Sequence, residues 1–331
     1  MSVSDQIRLW GPDDRIFPKA AKDADPLVRT YSLLQMSVLV FALVGALAQL
    51  IDGTLGMAFG ITSSSLLVAL SATPLAASVA VHFAELGTTF ASGASHWRAR
   101  NVDWRIVLRL GIPGAFGAAL GATVLSRFSL IDAKVWMSWL LLVLGLVLIA
   151  RFGLGKRLIP TLAGQPTSKL LIPLGAFAGF IDASGGGGWG PITTPTLLSV
   201  TTVEPRRVIG TVSASEFLVA LAASAGFIGG SATTDLDWKV VTGLLLGGVL
   251  MAPFAALLAG RLPHAPFGTL IGGVVVITNA RTIMSTYNMS SGVIVGVLVA
   301  VASIVAALTV AAWRREHRLG VEHSFFEESV D

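Results

Sequence analysis

Five ionisable side chains stand inside otherwise apolar runs: Asp52, His82, Glu85, Asp182 and Glu216, with Arg281 placed less deeply. An ionisable residue at the centre of a bilayer costs at least about 2.5 kcal/mol on insertion scales, so such groups face an interior cavity or a partner. His82 and Glu85 are three residues apart and share one helix face. Ser213 and Glu216 repeat that spacing 131 positions later. The two glutamates are therefore expected to face each other. A carboxyl whose proton load changes with access to one side or the other is a proton-coupling element. The alternative is that both glutamates hydrogen-bond backbone groups and hold broken helices in place. His82 has the same two readings, a satisfied packing histidine or a proton or substrate contact.

A second chemistry lies in two hydroxyl-rich stretches, Ile61-Thr62-Ser63-Ser64-Ser65 and Ile192-Thr193-Thr194-Pro195-Thr196. Each opens a short apolar segment directly after a glycine-containing break. Pro191 suits a first helical turn, where its missing N–H costs nothing. A helix start offers unpaired N–H groups and a positive dipole end, which inside a membrane makes an anion site without a buried lysine. The hydroxyls of Ser64, Ser65, Thr193 and Thr194 would add donors, or would only cap the half-helices. Gly186 and Gly187 would let a ligand approach the backbone closely. Asp52 and Asp182 precede the glycines. They read as caps for loop N–H groups, or as cation or proton sites. Trp189 and Phe59 stand 130 positions apart in the two breaks and share an expected wedge or gate role.

These residues need elements to carry them. The chain of 331 residues is 53% hydrophobic and 13% charged, with mean hydropathy +0.76. Soluble domains carry roughly 25% charged residues, so the composition specifies an all-α polytopic membrane protein. The net charge of +4 does not imply nucleic acid, because the basic residues lie in short loops where they orient the chain. Cysteine is absent, which removes disulfides, thiolate metal sites and cysteine nucleophiles. Hydropathy delimits apolar segments near 31–51, 58–71, 75–96, 106–126, 134–150, 169–183, 191–202, 207–229, 238–260, 266–286 and 291–313. A full span needs about 20 residues. The segments 58–71, 191–202 and 169–183 are short, and each flanks a break, so they read as re-entrant units.

The breaks themselves are Gly179 to Pro195, with glycines at 185–188 and 190, and a glycine-poorer copy from Gly45 to Ser65. Glycine costs about 1 kcal/mol per helix-interior position relative to alanine. Backbone left unpaired in lipid costs several kcal/mol per group. Such stretches must therefore line a cavity or lie inside protein. Asp52 and Asp182, Gly56 and Gly186, and Gly60 and Gly190 are each 130 positions apart; Pro74 and Pro205 and Glu85 and Glu216 are 131 apart; the Asp103-Trp104 and Asp237-Trp238 pairs are 134 apart. The chain is duplicated. Paired broken helices in corresponding places of two halves point to a transport site.

Charge predicts the orientation. Arg98, Arg100, Arg105 and Arg109, the linker with Arg151, Lys156, Arg157 and Lys169, Arg206-Arg207, Arg261, and Arg314, Arg315 and Arg318 are all expected on the cytoplasmic side. The segment at 75–96 then runs inward and 207–229 outward, which makes the two repeats inverted. The expected organisation is a polar extension at 1–30, a first membrane repeat at 31–150, a linker at 151–168, a second repeat at 169–313 and a cytoplasmic tail at 314–331. The extension balances five bases against five acids. It carries no apolar run ahead of a small-residue cleavage site, and reads as soluble or interfacial. Gly117 and Gly121, and Gly243 and Gly247, are small-residue faces for close helix contact. Trp97, Trp104, Trp238 and Trp313 are interfacial anchors.

No motif asks for a cofactor or a metal, and the reading is of a non-enzyme. Gly185-x-Gly187-x-x-Gly190 lacks the βαβ unit of a dinucleotide fingerprint, and no Gly-Lys-Ser/Thr follows it. His82-x-x-Glu85 is a two-ligand helix and not a zinc motif. There is no Gly-x-Ser-x-Gly elbow.

The Asp-Gly breaks, the Gly185–Gly190 run followed by Pro191 and Pro195, and His82-Phe83-Ala84-Glu85 with Ser95-His96-Trp97-Arg98 resemble the TauE/SafE sulfite exporter family, over roughly residues 36–310. The first break departs from it, with Thr54-Leu55 and Met57-Ala58 where a glycine run is typical. The resemblance implies an inner-membrane, multi-pass permease that exports or exchanges sulfite, thiosulfate or sulfonates, linked to the proton gradient. Its partners would be a small anionic substrate, protons and the lipid bilayer. The residues alone also admit a transporter of another carboxylate or metabolite anion, an anion channel, and an intramembrane enzyme using Asp52, Asp182 or Glu216 as an acid.

Overall fold

The computed structural model describes residues 26–69, 72–155, 165–230, 236–259 and 263–328. Residues 1–25 of the extension, 156–164 of the linker, Arg261 and the last three residues of the tail lie outside them. The described chain is built of helices α1 (Pro26–Leu55), α2 (Phe59–Ala69), α3 (Pro74–Arg98), α4 (Trp104–Leu125), α5 (Leu130–Leu148), α6 (Ser168–Gly185), α7 (Trp189–Val200), α8 (Pro205–Gly229), α9 (Trp238–Leu258), α10 (His264–Thr286) and α11 (Ser291–Glu328). A π-helical turn, Ile149–Gly153, ends α5. No strand occurs among the described residues.

The helix ends follow from local chemistry. The two Asp-Trp pairs are N-caps: Asp103 accepts the N–H groups of Arg105 and Ile106, and Asp237 accepts that of Lys239. Thr73 caps α3 ahead of Pro74, and a proline at the first helical position removes an N–H that would have had no partner. Glu204 and Pro205 start α8 in the same register. Among the described residues, seven helices contain spans long and apolar enough to cross a bilayer: Val38–Leu55, Trp104–Leu125, Ile131–Gly153, Pro205–Gly229, Trp238–Leu258, His264–Thr286 and Ser291–Arg318. Helices α2 and α7 have 11 and 12 residues. At 1.5 Å per residue they reach little more than half of a hydrocarbon core about 30 Å thick.

The packing is reciprocal between the halves. Helix α1 lies along α9, and its counterpart α6 lies along α4; α3 and α8 pack on each other in the middle. Close approach comes from glycine. A side chain at Gly117 or Gly121 would collide with the α6 backbone at Ala176 or Phe180, and one at Gly247 with the Ala42 carbonyl of α1. With no hydrophobic force between helices in lipid, such contacts hold them by dispersion. Gly210, near the start of α8, abuts Asn101 and His96, whereas Phe227, near its end, packs on His82. Helices α3 and α8 are thus antiparallel. This brings Arg98 and Arg206 to the same end of the bundle.

Helix α10 covers α2 and α5, and α11 packs on α10. Only 6% of the most apolar window of α11 is buried. Phe116, Leu250 and Leu257 point outward as lipid-facing side chains; Trp97, Trp104 and Trp238 are exposed at helix ends, and Trp313 is exposed within α11.

Candidate functional site

The two breaks touch at the centre of the molecule. Gly60 lies against the Gly187 backbone, and Gly190 lies against Gly56 and Met57. Two cross-hydrogen bonds join them. Ser64 Oγ donates to the Gly186 carbonyl, and Thr194 Oγ1 donates to the Gly56 carbonyl. These are the same contact made twice, once from each half. Gly186 ends α6 in the left-handed region (φ 72°), and Gly56 takes φ 70° in the first break. Glycine adopts that region without the clash a Cβ would bring. A side chain on Gly187 would in addition strike the backbone of Gly60 and Ile61.

The two aspartates cap the half-helices. Asp182 Oδ1 accepts the Trp189 N–H at 3.0 Å, and Asp52 Oδ1 accepts the Phe59 N–H at 3.4 Å. Trp189 and Phe59 are buried wedges. Trp189 Nε1 donates to the Val212 carbonyl at 3.2 Å, and its ring fills the space that a side chain at Gly114 would need; at Gly248 that space is taken by Thr88, with the Phe59 ring in ordinary contact beside it.

His82 is fully buried on α3. Its Nδ1 lies 2.7 Å from the Ser78 carbonyl, which can only accept, so Nδ1 carries a hydrogen. Its Nε2 lies 3.2 Å from Asp182 Oδ2 and 4.0 Å from Glu85 Oε2. A lone pair and a carboxylate oxygen do not approach so closely without a proton or a cation between them. His82, Glu85 and Asp182 therefore form a compact pocket for one proton or cation. Neither Glu85 oxygen has a hydrogen-bond partner, and Oε1 stands beside Gly60 of the first break. Glu216 interacts electrostatically with Asp52, Glu85 and Asp182. One buried cluster thus joins both aspartates, both glutamates and the histidine.

The predicted hydroxyls are all buried and distribute unevenly. Ser64 and Thr194 bridge the breaks. Thr193 Oγ1 donates to the Trp189 carbonyl at 2.6 Å. Ser65 Oγ accepts from Asn279 Nδ2 of α10 at 2.9 Å. Ser213 Oγ has no partner. Ser64, Thr193 and Thr194 thus have their hydrogens engaged by carbonyls as the chain stands. Pro191 lines a cavity of about 260 Å³ together with Leu140, Val143, Phe177 and Pro195. Sequence reasoning missed Asn279, which nothing local distinguishes. It also missed Ser78, whose i,i+4 spacing to His82 is a usable signal.

The sulfite exporter TauE/SafE family model matches residues 41–282. The Bacillus subtilis (strain 168) protein "Probable membrane transporter protein YtnM" is 46% identical over 262 residues, covering 77% of this chain and 86% of its own. A second protein of that organism, "Probable membrane transporter protein YjnA", is 22% identical over 200 residues, covering 57% of this chain and 78% of its own. No solved structure matches the chain.

Proposed function

The chain belongs to the TauE/SafE sulfite exporter family, and from that premise we propose that this membrane transporter carries a small sulfur-containing anion, such as sulfite, thiosulfate or an organosulfonate, in exchange for or together with protons. The observation that carries the reading is the meeting of two half-helix starts over one buried acid–imidazole cluster. The half-helices α2 and α7 bring positive dipole ends to one central point, where an oxyanion is stabilised without a full positive charge. Ser64 and Thr194 bond carbonyls across the breaks when the site is closed, and turn their hydrogens to the anion when it opens. Ser65, Thr193, Ser213, Trp189 and the Gly186–Gly187 backbone complete the walls.

Protons reside on His82, Glu85 and Glu216. Asp182 links the two functions, because one oxygen holds the start of α7 while the other faces His82. A change in proton load at His82 thereby bears on the half-helix that binds the anion. The antiparallel crossing of α3 and α8 and the reciprocal packing support an inverted repeat, 31–150 on 169–313, with access alternating about the breaks. The shared end of Arg98 and Arg206 supports a cytoplasmic placement for that end, and the basic residues of α11 support the same for the C-terminus, in the inner membrane.

The test is flux of sulfite into liposomes holding the purified protein. Uptake should saturate and follow an imposed pH gradient. Glu216→Gln should leave a folded protein whose flux no longer responds to that gradient. Unsaturable flux indifferent to pH would overturn the reading in favour of a channel.

A further inference from the structure

Helix α3 carries a polar stripe that its counterpart in the second half lacks. Glu85, Thr88, Ser92 and His96 fall at i, i+3, i+7 and i+11 and so share one face. All four are buried. Each has a side-chain polar atom without a hydrogen-bond partner: both Glu85 oxygens, Thr88 Oγ1, Ser92 Oγ and His96 Nε2. The matching face of α8 reads Glu216, Val219, Ala223 and Phe227, apolar beyond its glutamate and fully buried there.

Buried polar atoms without protein partners are satisfied by ordered water. Four such positions along about three turns of one helix face cannot each be an isolated defect. Other buried groups extend the stripe. Ser213 Oγ of α8 and Gln49 Nε2 of α1 also lack partners. Gly93, one residue from Ser92, packs on Ala214, one residue from Ser213. The His96 ring lies toward the Gly53 backbone without a hydrogen bond of normal geometry there and stands 3.4 Å from the Asn101 side chain, just past the end of α3. The distance from Glu85 to His96 along the helix is about 16 Å. In the other direction the equivalent exit is closed, since Phe227 packs edge-on against His82 with ring centres 5.6 Å apart.

We infer that the Glu85–Thr88–Ser92–His96 face of α3 holds a file of water that opens the central carboxylates toward the membrane side bearing Arg98, while Val219, Ala223 and Phe227 seal them from the other. The file gives protons a route of hydroxyls, water and imidazole to one side only. Its use for coupling rests on the proton-linked reading above. Facing it are Asp52, Asp182 and Glu216 from α1, α6 and α8, and His82 on α3 itself.

The chain is free of cysteine, so single cysteines report without background. Thr88→Cys and Ser92→Cys should react with silver ion in liposomes about tenfold faster than Val219→Cys and Ala223→Cys, which water reaches only by local opening. Adding His96→Phe, which copies the sealed half, should slow the reaction at position 92 to the rate at 223. Equal rates at all four positions, or a rate at 92 unmoved by His96→Phe, would overturn the inference. Should a cysteine variant not fold, radiolytic hydroxyl labelling of the unaltered protein decides: His96 should be oxidised and Phe227 spared, and the reverse or equal labelling overturns the file. Sulfite flux measured on the same vesicles separates the two claims. A silver-reactive stripe with flux blind to pH removes proton linkage and leaves the file. A uniform silver rate with pH-driven flux intact removes the file and leaves the linkage.

Discussion

Asp182 has its two oxygens bound to different elements, Oδ1 to the Trp189 N–H of α7 and Oδ2 to His82 of α3. Replacing it separates structure from proton chemistry. In Asp182→Asn the amide oxygen keeps the Trp189 cap and the amide nitrogen donates to a singly protonated His82, so the variant should fold with a melting temperature near that of the parent and lose its response to a pH gradient. Asp182→Ala strands the Trp189 N–H and the imidazole, and a buried donor left unpaired costs about 1–3 kcal/mol. Thermal unfolding followed by tryptophan fluorescence should register that loss for alanine and not for asparagine. Thr194→Val makes a second residue-scale prediction: it orphans the Gly56 carbonyl and should lower stability by about 1 kcal/mol, with weaker sulfite binding as the functional readout. The aspartates, glutamates and His82 were visible in the sequence because charge inside an apolar run is conspicuous. Their partners were not. The Ser65–Asn279 bond spans 214 positions, and neither residue carries a mark of the other.

At the scale of elements, the breaks differ in how they achieve the same turn. The second uses glycine throughout and places Gly187 at φ 146°, whereas the first has Met57 at the matching position and places the next residue, Ala58, at φ 132°. That region is hostile to any residue with a Cβ, and holding one there costs on the order of 1–3 kcal/mol. Ala58→Gly should therefore stabilise the protein by about 1 kcal/mol after the entropy glycine loses on folding. Gly187→Ala should destabilise it by more than that, because its Cβ would also meet the Gly60 and Ile61 backbone. Chemical denaturation of the two variants in the same detergent compares them directly. The helix boundaries were largely readable, since prolines, Asp-Trp caps and glycine breaks are local signals. The two half-helices were readable because they are too short to span. That the breaks touch was not readable, because it depends on the α3–α8 crossing, which no local pattern encodes.

For the whole molecule, the reciprocal packing of α1 on α9 and α6 on α4 ties each half to the other. Neither half buries its glycine faces alone. Gly117 on the Ala176 backbone and Gly247 on the Ala42 backbone are the contacts that close those two seams. The small-residue spacing announced that such seams exist but could not say which helix fills each one. The repeat offset relates the seams only once one partner is known. Gly117→Val and Gly247→Val should both force the helices apart, at a cost of about 1–3 kcal/mol for each overpacked position, and the double variant should lose the folded state in detergent. Gly296→Val on α11 is the control: nothing lies within 4 Å of a side chain there, so it should elute and melt as the parent does. Size-exclusion profiles and melting temperatures of the four proteins decide the matter. If either single variant behaved like Gly296→Val, the two seams would not be equivalent, and the reciprocal closure on which the proposed alternating access depends would fail with them.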